Sequence, residues 1–292
     1  DITLVSSADD IVISPGDLVV DGLLGIGCNR NITGIMSDIV HKINASGAFV
    51  VAVDVPTGLD SDTGRVRGCA VVANETVTFI GLKQGLYLAD GRNYAGRITL
   101  CDIGVDAGEP DYYIAENDDV RLPARLPVSN KGTYGCVKII AGSPTMMGAS
   151  LLAHESAQAS LRGGAGYAVL CVPRSLVAVY QARVKEEMLM FLPDDDGRAV
   201  FDAPSLDAVM HRASAIVIGP GMGKNADLIK IIAYIARNFD GTLVIDGDGL
   251  NALSADLTAV ERHKCKLILT PHVAEFARLM KHPAALPDTD RT

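Results

Sequence analysis

The chain has 292 residues, 48% of them hydrophobic, which suits two domains with a buried core in each. A formal net charge of −9 at pH 7 argues against a nucleic-acid or anionic-membrane surface, so a small-molecule partner is expected. No apolar run approaches the roughly 18 residues of a membrane span, and no signal-peptide pattern stands at the front. The six cysteines, Cys28, Cys69, Cys101, Cys136, Cys171 and Cys265, are scattered without a C-x-x-C pair. They read as reduced core residues of a reducing compartment, the cytoplasm.

In chain order, Leu18 to Val20, Phe49 to Val53, Glu75 to Ile80 and Arg97 to Leu100 are short apolar or β-branched runs expected to be strands. Between the first two, apolar residues at Ile32, Ile35, Met36, Ile39, Val40 and Ile43 keep helical spacing. Strand, helix, strand of this continuous type predicts a parallel sheet covered on both faces. A polar segment from Val105 to Pro110 suits a linker, so domains are expected over 1–109 and 110–292.

The alternation then restarts. Val137 to Ser143 is a strand entering a Gly/Ser loop, and Gly148 to Leu161 is a helix of small residues. Tyr167 to Val172, Ala215 to Ile218, Thr242 to Ile245 and Lys266 to Leu269 follow as buried strands. The last three end in Gly219-Pro220-Gly221-Met222-Gly223, Asp246-Gly247-Asp248-Gly249 and Thr270-Pro271-His272. Open α/β sheets bind ligands at the carboxyl ends of their strands, so these turns mark one rim as a site.

Asp21 and Asp54 each follow an apolar strand and are expected at the same sheet rim. Such carboxylates bind a cation, shift one another's pKa or transfer protons; equally, they cap the turns that follow. Val53-Asp54-Val55-Pro56-Thr57-Gly58 is the more specific signal, presenting a carboxylate and a hydroxyl on a turn fixed by proline. In the second half, Gly148 with Ala149 and Gly221 with Gly223 let backbone amides approach a phosphate or nicotinamide. Asp248 and Asn251 orient a ligand or hold their turn. His272 and Glu275 touch ligand or cap a helix, and Met146-Met147 reads as packing.

Asp21-Gly22-Leu23-Leu24-Gly25-Ile26-Gly27, the turn at Asp54 to Gly58 and Thr78 to Leu86 resemble the NAD(P)H-hydrate epimerase domain. The resemblance continues through Gly96 to Leu100 and Asp102-Ile103-Gly104. It implies a Rossmann-like αβα fold with Asp54 as catalytic carboxylate and Asp21 and Thr57 as potassium ligands. It also implies substrate contact by Gly25, Ile26, Gly27, Cys28, Asn29, Arg30 and Asn31. Asn130 to Gly135, Ala141 to Ala149, Leu161 to Gly166, Ile218 to Gly223, Asp246 to Asn251 and Leu269 to Glu275 are similar, in order, to the ribokinase-like NAD(P)H-hydrate dehydratase domain.

That second resemblance implies hydrate contact at Ala149, Gly221, Gly223 and His272, and a nucleotide and Mg2+ region near Asp248, Asn251 and Glu275. The chemistry implied is epimerisation of R and S hydrates of NADH and NADPH (NADHX and NADPHX), then dehydration of the S form. In the second step ADP or ATP activates the hydroxyl and phosphate leaves. Association into a homo-oligomer is expected.

Three family segments do not occur in the sequence: an upstream Asn-Asn-Gly-Gly-Asp-Gly loop, a downstream Gly-x-Gly-Asp base and a Lys-Gly-x-x-Thr nucleotide loop. With Asp1 in place of Met and an end at Thr292, the chain reads as the middle of a longer bifunctional protein, with little activity alone. A ribokinase-like small-molecule kinase is the enzymatic alternative, disfavoured by the Asp54 turn, and a non-catalytic binding scaffold is the other.

Overall fold

Four short strands, β1 (Leu18–Asp21), β2 (Phe49–Val53), β3 (Glu75–Phe79) and β4 (Arg97–Cys101), lie in that order in one parallel sheet. The computed structural model in which they are seen describes residues 2–106, 108–122 and 124–281. Ala107 of the expected linker and 282–292 of the expected second domain lie outside the described residues. The chain divides into two compact units, the first running to Glu116 and the second starting at Asn117.

In the first unit, helix α1 (Ile35–Ala45) places Ile39, Val40 and Ile43 against Val50, Ala52, Val71 and Ala73. It starts three residues later than its apolar period suggests. Gly34 takes φ 62°, and the Ile32 N–H donates instead to the Arg67 carbonyl. One-turn helix α2 (Gly91–Tyr94) precedes β4, and a second small core of Val55, Leu59, Leu86 and Ala95 lies beside it.

The expected cover on both faces is corrected for this sheet. Among the described residues, Leu18, Val20 and Phe49 share a face and are 66%, 62% and 50% exposed. A continuous apolar run shows that both faces are apolar; it does not show that both are packed.

The second unit is built on β5 (Cys136–Ile140), β6 (Tyr167–Pro173), β7 (Met188–Leu192), β10 (Ala215–Ile218), β11 (Thr242–Ile245) and β12 (Lys266–Leu269). Their spatial order is β12-β11-β10-β5-β6-β7, all parallel, with a separate two-residue hairpin of β8 (Asp194–Asp195) and β9 (Arg198–Ala199).

Side-chain alternation sorts two cores. One face, with Ile140, Cys171, Ile216, Ile218, Leu243 and Ile245, meets α5 (Ala203–Met210), α6 (Leu228–Asn238) and α7 (Asp248–Ala255). The opposite face, with Ile139, Leu170 and Val172, packs on Ala157 of α3 (Met147–Arg162) and Tyr180 of α4 (Val177–Gln181). This is a three-layer αβα unit, closed at its far end by α8 (Val273–Leu279). No helix among the described residues is long and apolar enough to cross a membrane.

Candidate active sites

Asp21 is the last residue of β1 and Asp54 the first after β2, so both stand at the carboxyl-end rim of the first sheet. They are held by different partners. Asp21, 1% exposed, accepts hydrogen bonds from the Thr57 N–H (2.8 Å), the Thr57 hydroxyl (2.7 Å) and the Leu23 N–H (3.3 Å). The Thr57 hydroxyl also accepts from the Leu24 N–H at 2.9 Å and lies 3.1 Å from the Leu24 carbonyl. Asp21 and Thr57, expected together as cation ligands, are thus in contact and tie the loop after β1 to the turn after β2.

Asp54 has φ 70°, a left-handed conformation that costs a non-glycine residue energy and survives only where its surroundings enforce it. Three groups do so here. Its Oδ1 accepts from Lys83 Nζ at 2.5 Å, the Thr78 hydroxyl at 3.1 Å and the Phe79 N–H at 3.2 Å. Burial alone pushes the carboxyl pKa up, but these hydrogen bonds and the Lys83 charge outweigh it and hold Asp54 below the usual carboxylate range. Lys83 also donates to the Thr78 hydroxyl (3.1 Å) and the Phe79 carbonyl (2.7 Å). Sequence reasoning quoted Lys83 within a motif without giving it a role. The signal available was a lone cation four residues past a strand that neighbours β2.

Gly58 is demanded by the turn. Its φ is 89°, and a Cβ there would lie 1.9 Å from the Cys69 carbonyl oxygen. Gly25 and Gly27 are different, for a Cβ on either would meet nothing within 4 Å. The fold leaves open space on that loop. Ile26, Asn29, Arg30 and Asn31 are exposed along it, whereas Cys28 is buried, with its thiol 3.8 Å from the Arg30 carbonyl and raised in pKa chiefly by desolvation.

A further pair below this turn was missed. Asp60 accepts from the Thr63 N–H and the Arg67 guanidinium, and although burial opposes it these bonds lower its pKa to about 2.

In the second unit the rim is made mostly of backbone. Gly142 N–H donates to the Pro220 carbonyl, and Gly221, at φ 62°, would place a Cβ 2.5 Å from the Met146 carbonyl and 3.0 Å from Ala149 Cβ. Ala149, Gly221 and Gly223 are therefore brought together where α3 begins. No side chain caps that helix start, and the Ser143 hydroxyl beside it is fully buried without a hydrogen-bond partner. Ser143 too was quoted without a role; an orphan hydroxyl is visible only in three dimensions.

Asp248 accepts from the Gly223 N–H at 2.7 Å and lies 3.4 Å from the Asn251 amide, so it fastens the glycine loop. His272 and Glu275 form a capping box at α8. His272 Nδ1 accepts from the Ala274 and Glu275 N–H groups, and Glu275 accepts from the His272 N–H at 3.0 Å. The capping alternative for these two is the arrangement seen, with the His272 side chain still 64% exposed.

Residues 137–291, more than half of the chain, match the family described as NAD(P)H-hydrate dehydratase. The chain belongs to that family. Residues 2–85 match the YjeF-related protein N-terminus, so the two matched domains stand in tandem. A bifunctional NAD(P)H-hydrate repair enzyme of Moorella thermoacetica is 33% identical, covering 97% of this chain and 54% of its own length. One of Thermofilum pendens is 34% identical over 90% of this chain and 51% of its own. The chain spans about half the length of the curated relatives it matches. An ADP/ATP-dependent NAD(P)H-hydrate dehydratase of Bacillus subtilis, solved with ATP and Mg2+, is 27% identical over 56% of this chain and 53% of its own, at a TM-score of 0.42.

Proposed function

We propose that the first unit interconverts the R and S hydrates of NADH and NADPH, and that the second belongs to the machinery that dehydrates the S form with ADP or ATP. One observation carries the epimerase half: an ionised carboxylate, Asp54, held in a strained conformation against the Lys83 ammonium at the carboxyl rim of a parallel sheet.

The reacting carbon of the hydrate bears a hydroxyl and the ring nitrogen. When the hydroxyl proton is taken, the carbon–nitrogen bond opens to a carbonyl with its electron pair left on the ring nitrogen, and inversion follows when that nitrogen re-attacks the other face and the oxygen takes the proton back. Asp54 accepts the hydroxyl proton and gives it back, a form of catalysis that contributes about 10²- to 10⁴-fold. Lys83 is the positioning residue that keeps the carboxylate ionised and aimed. Arg30 on the open loop suits the diphosphate, which a guanidinium grips with two hydrogen bonds.

Potassium fits the Asp21 carboxylate, the Thr57 hydroxyl and the Leu24 carbonyl, all hard oxygens, because Asp21 is a buried anion satisfied only by neutral donors. Bound there, it would supply positive charge for the diphosphate.

In the second unit the uncapped start of α3, Ala149, Gly221, Gly223 and the Ser143 hydroxyl form a cradle for an anion or the nicotinamide amide. Asp248, Asn251 and Glu275 do not fit Mg2+. Asn251 offers only a neutral amide, Glu275 is committed to the α8 cap, and no group of three His, Cys, Asp or Glu able to hold a metal occurs among the described residues.

The test is to follow the separated epimers of NADHX by chromatography. In a protein completed with the family's upstream and downstream segments, loss of interconversion in Asp54→Asn with hydrate binding kept supports the reading, and full activity in that variant defeats it.

A further inference from the structure

At the amino ends of β5, β6 and β7, the second unit holds a cavity of about 650 Å³. The rim described above lies at the other end of the same strands. From Lys138 to Ser143 is five residues, roughly 16 Å of extended chain. The cavity is therefore separate from the anion cradle, and its size falls within the roughly 300–1,000 Å³ of small-molecule sites.

Its walls are largely apolar, with Tyr167 and Val169 from β6 and Met188 and Met190 from β7. The charges on it have one sign. Lys138 and Arg212 line it and no Asp or Glu does, in a chain whose formal charge is −9.

Lys138 is 6% exposed, and its ammonium donates to the carbonyls of Ala208 (2.9 Å) and His211 (3.0 Å) at the end of α5. No carboxylate pairs with it among the described residues. Capping α5 accounts for two of its three N–H groups. It accounts neither for the third N–H nor for the apolar space beside it.

We propose that this cavity binds a small organic monoanion, an aromatic or branched carboxylate. Its charge pairs with Lys138, and its apolar body lies against Tyr167, Val169, Met188 and Met190. A monoanion is favoured over a phosphate because Lys138 is the buried cation of the lining and has one uncommitted donor, whereas His211 and Arg212 are exposed; a phosphate needs several buried donors.

The probes are naphthalene carboxylate and its neutral carboxamide, titrated calorimetrically into the 292-residue chain. The carboxylate is expected to bind at least about 10-fold more tightly than the amide, the factor a charge-assisted hydrogen bond gives. Lys138→Met should remove that preference. Met188→Trp, on an edge strand and away from the cap, should abolish binding of both while the circular dichroism spectrum stays unchanged; it carries the test if Lys138→Met fails to fold. Equal affinity for acid and amide in the parent chain, no binding at roughly 10 mM, or carboxylate binding untouched by Met188→Trp would each overturn the proposal.

Discussion

The two units place their candidate sites at the same end of the same kind of sheet and fill them with opposite materials. In the first unit the rim is made of charged side chains, Asp54 against Lys83 and Asp21 against Thr57, each held across two segments. In the second it is made of backbone, glycines pressed against carbonyls with one carboxylate, Asp248, fastening the loop. The first arrangement suits moving a proton, and the second suits cradling an anion. Fold alone therefore does not decide chemistry; the composition of the strand-end turns does.

If the contrast holds, the largest effect belongs to Asp54→Asn. It should lower epimerisation by about a hundredfold or more, seen in the rate of R to S interconversion, with a smaller loss of stability from the Lys83 ammonium left without its carboxylate. In the backbone-built site the damage should be to the fold. Gly221→Val, at φ 62° and facing the Met146 carbonyl, should cost about 3 kcal/mol in urea unfolding and weaken hydrate binding together with it. Retained stability there would show that the loop is not fixed by contact.

Asp60 sharpens the comparison by pH. Its folded pKa is depressed to about 2, so its stabilisation is present above the unfolded value near 3.8 and is lost as pH falls from about 4 towards 2. Asp60→Asn should remove on the order of 1–2 kcal/mol of that acid limb, and an unchanged limb would remove Asp60 as its cause. Smallest of all, His272→Ala should cost about 1 kcal/mol, the worth of a helix cap. A loss of hydrate affinity without that cost would return His272 to ligand contact.

The strands were the most legible part of the sequence. Ala215–Ile218, Thr242–Ile245 and Lys266–Leu269 stand where their β-branched and leucine runs place them. β7 was not legible, because Met188-Leu189-Met190-Phe191-Leu192 is rich in residues with good helix propensity and becomes a strand only by pairing with β6. Helix α6 is different: Leu228, Ile231, Ile232 and Ile235 keep helical spacing, and attention to strand-end turns passes over them.

At the sites, the contact of Asp21 with Thr57 and the meeting of Ala149 with Gly221 agree with what the two resemblances imply. The Lys83 to Asp54 bond, the orphan Ser143 hydroxyl and the commitment of Asp248 to Gly223 were not legible, since each depends on how loops far apart in sequence come to face one another.

The left-handed backbone at Asp54 bears on how a saturation scan of this protein would look. Position 54 would act as two sieves in series, one for backbone shape and one for charge. Glycine and asparagine pass the first and fail the second; glutamate carries the charge but lacks the short side chain that tolerates positive φ. Only aspartate passes both. An alanine there would confuse a broken turn with a missing base, so asparagine is the informative replacement.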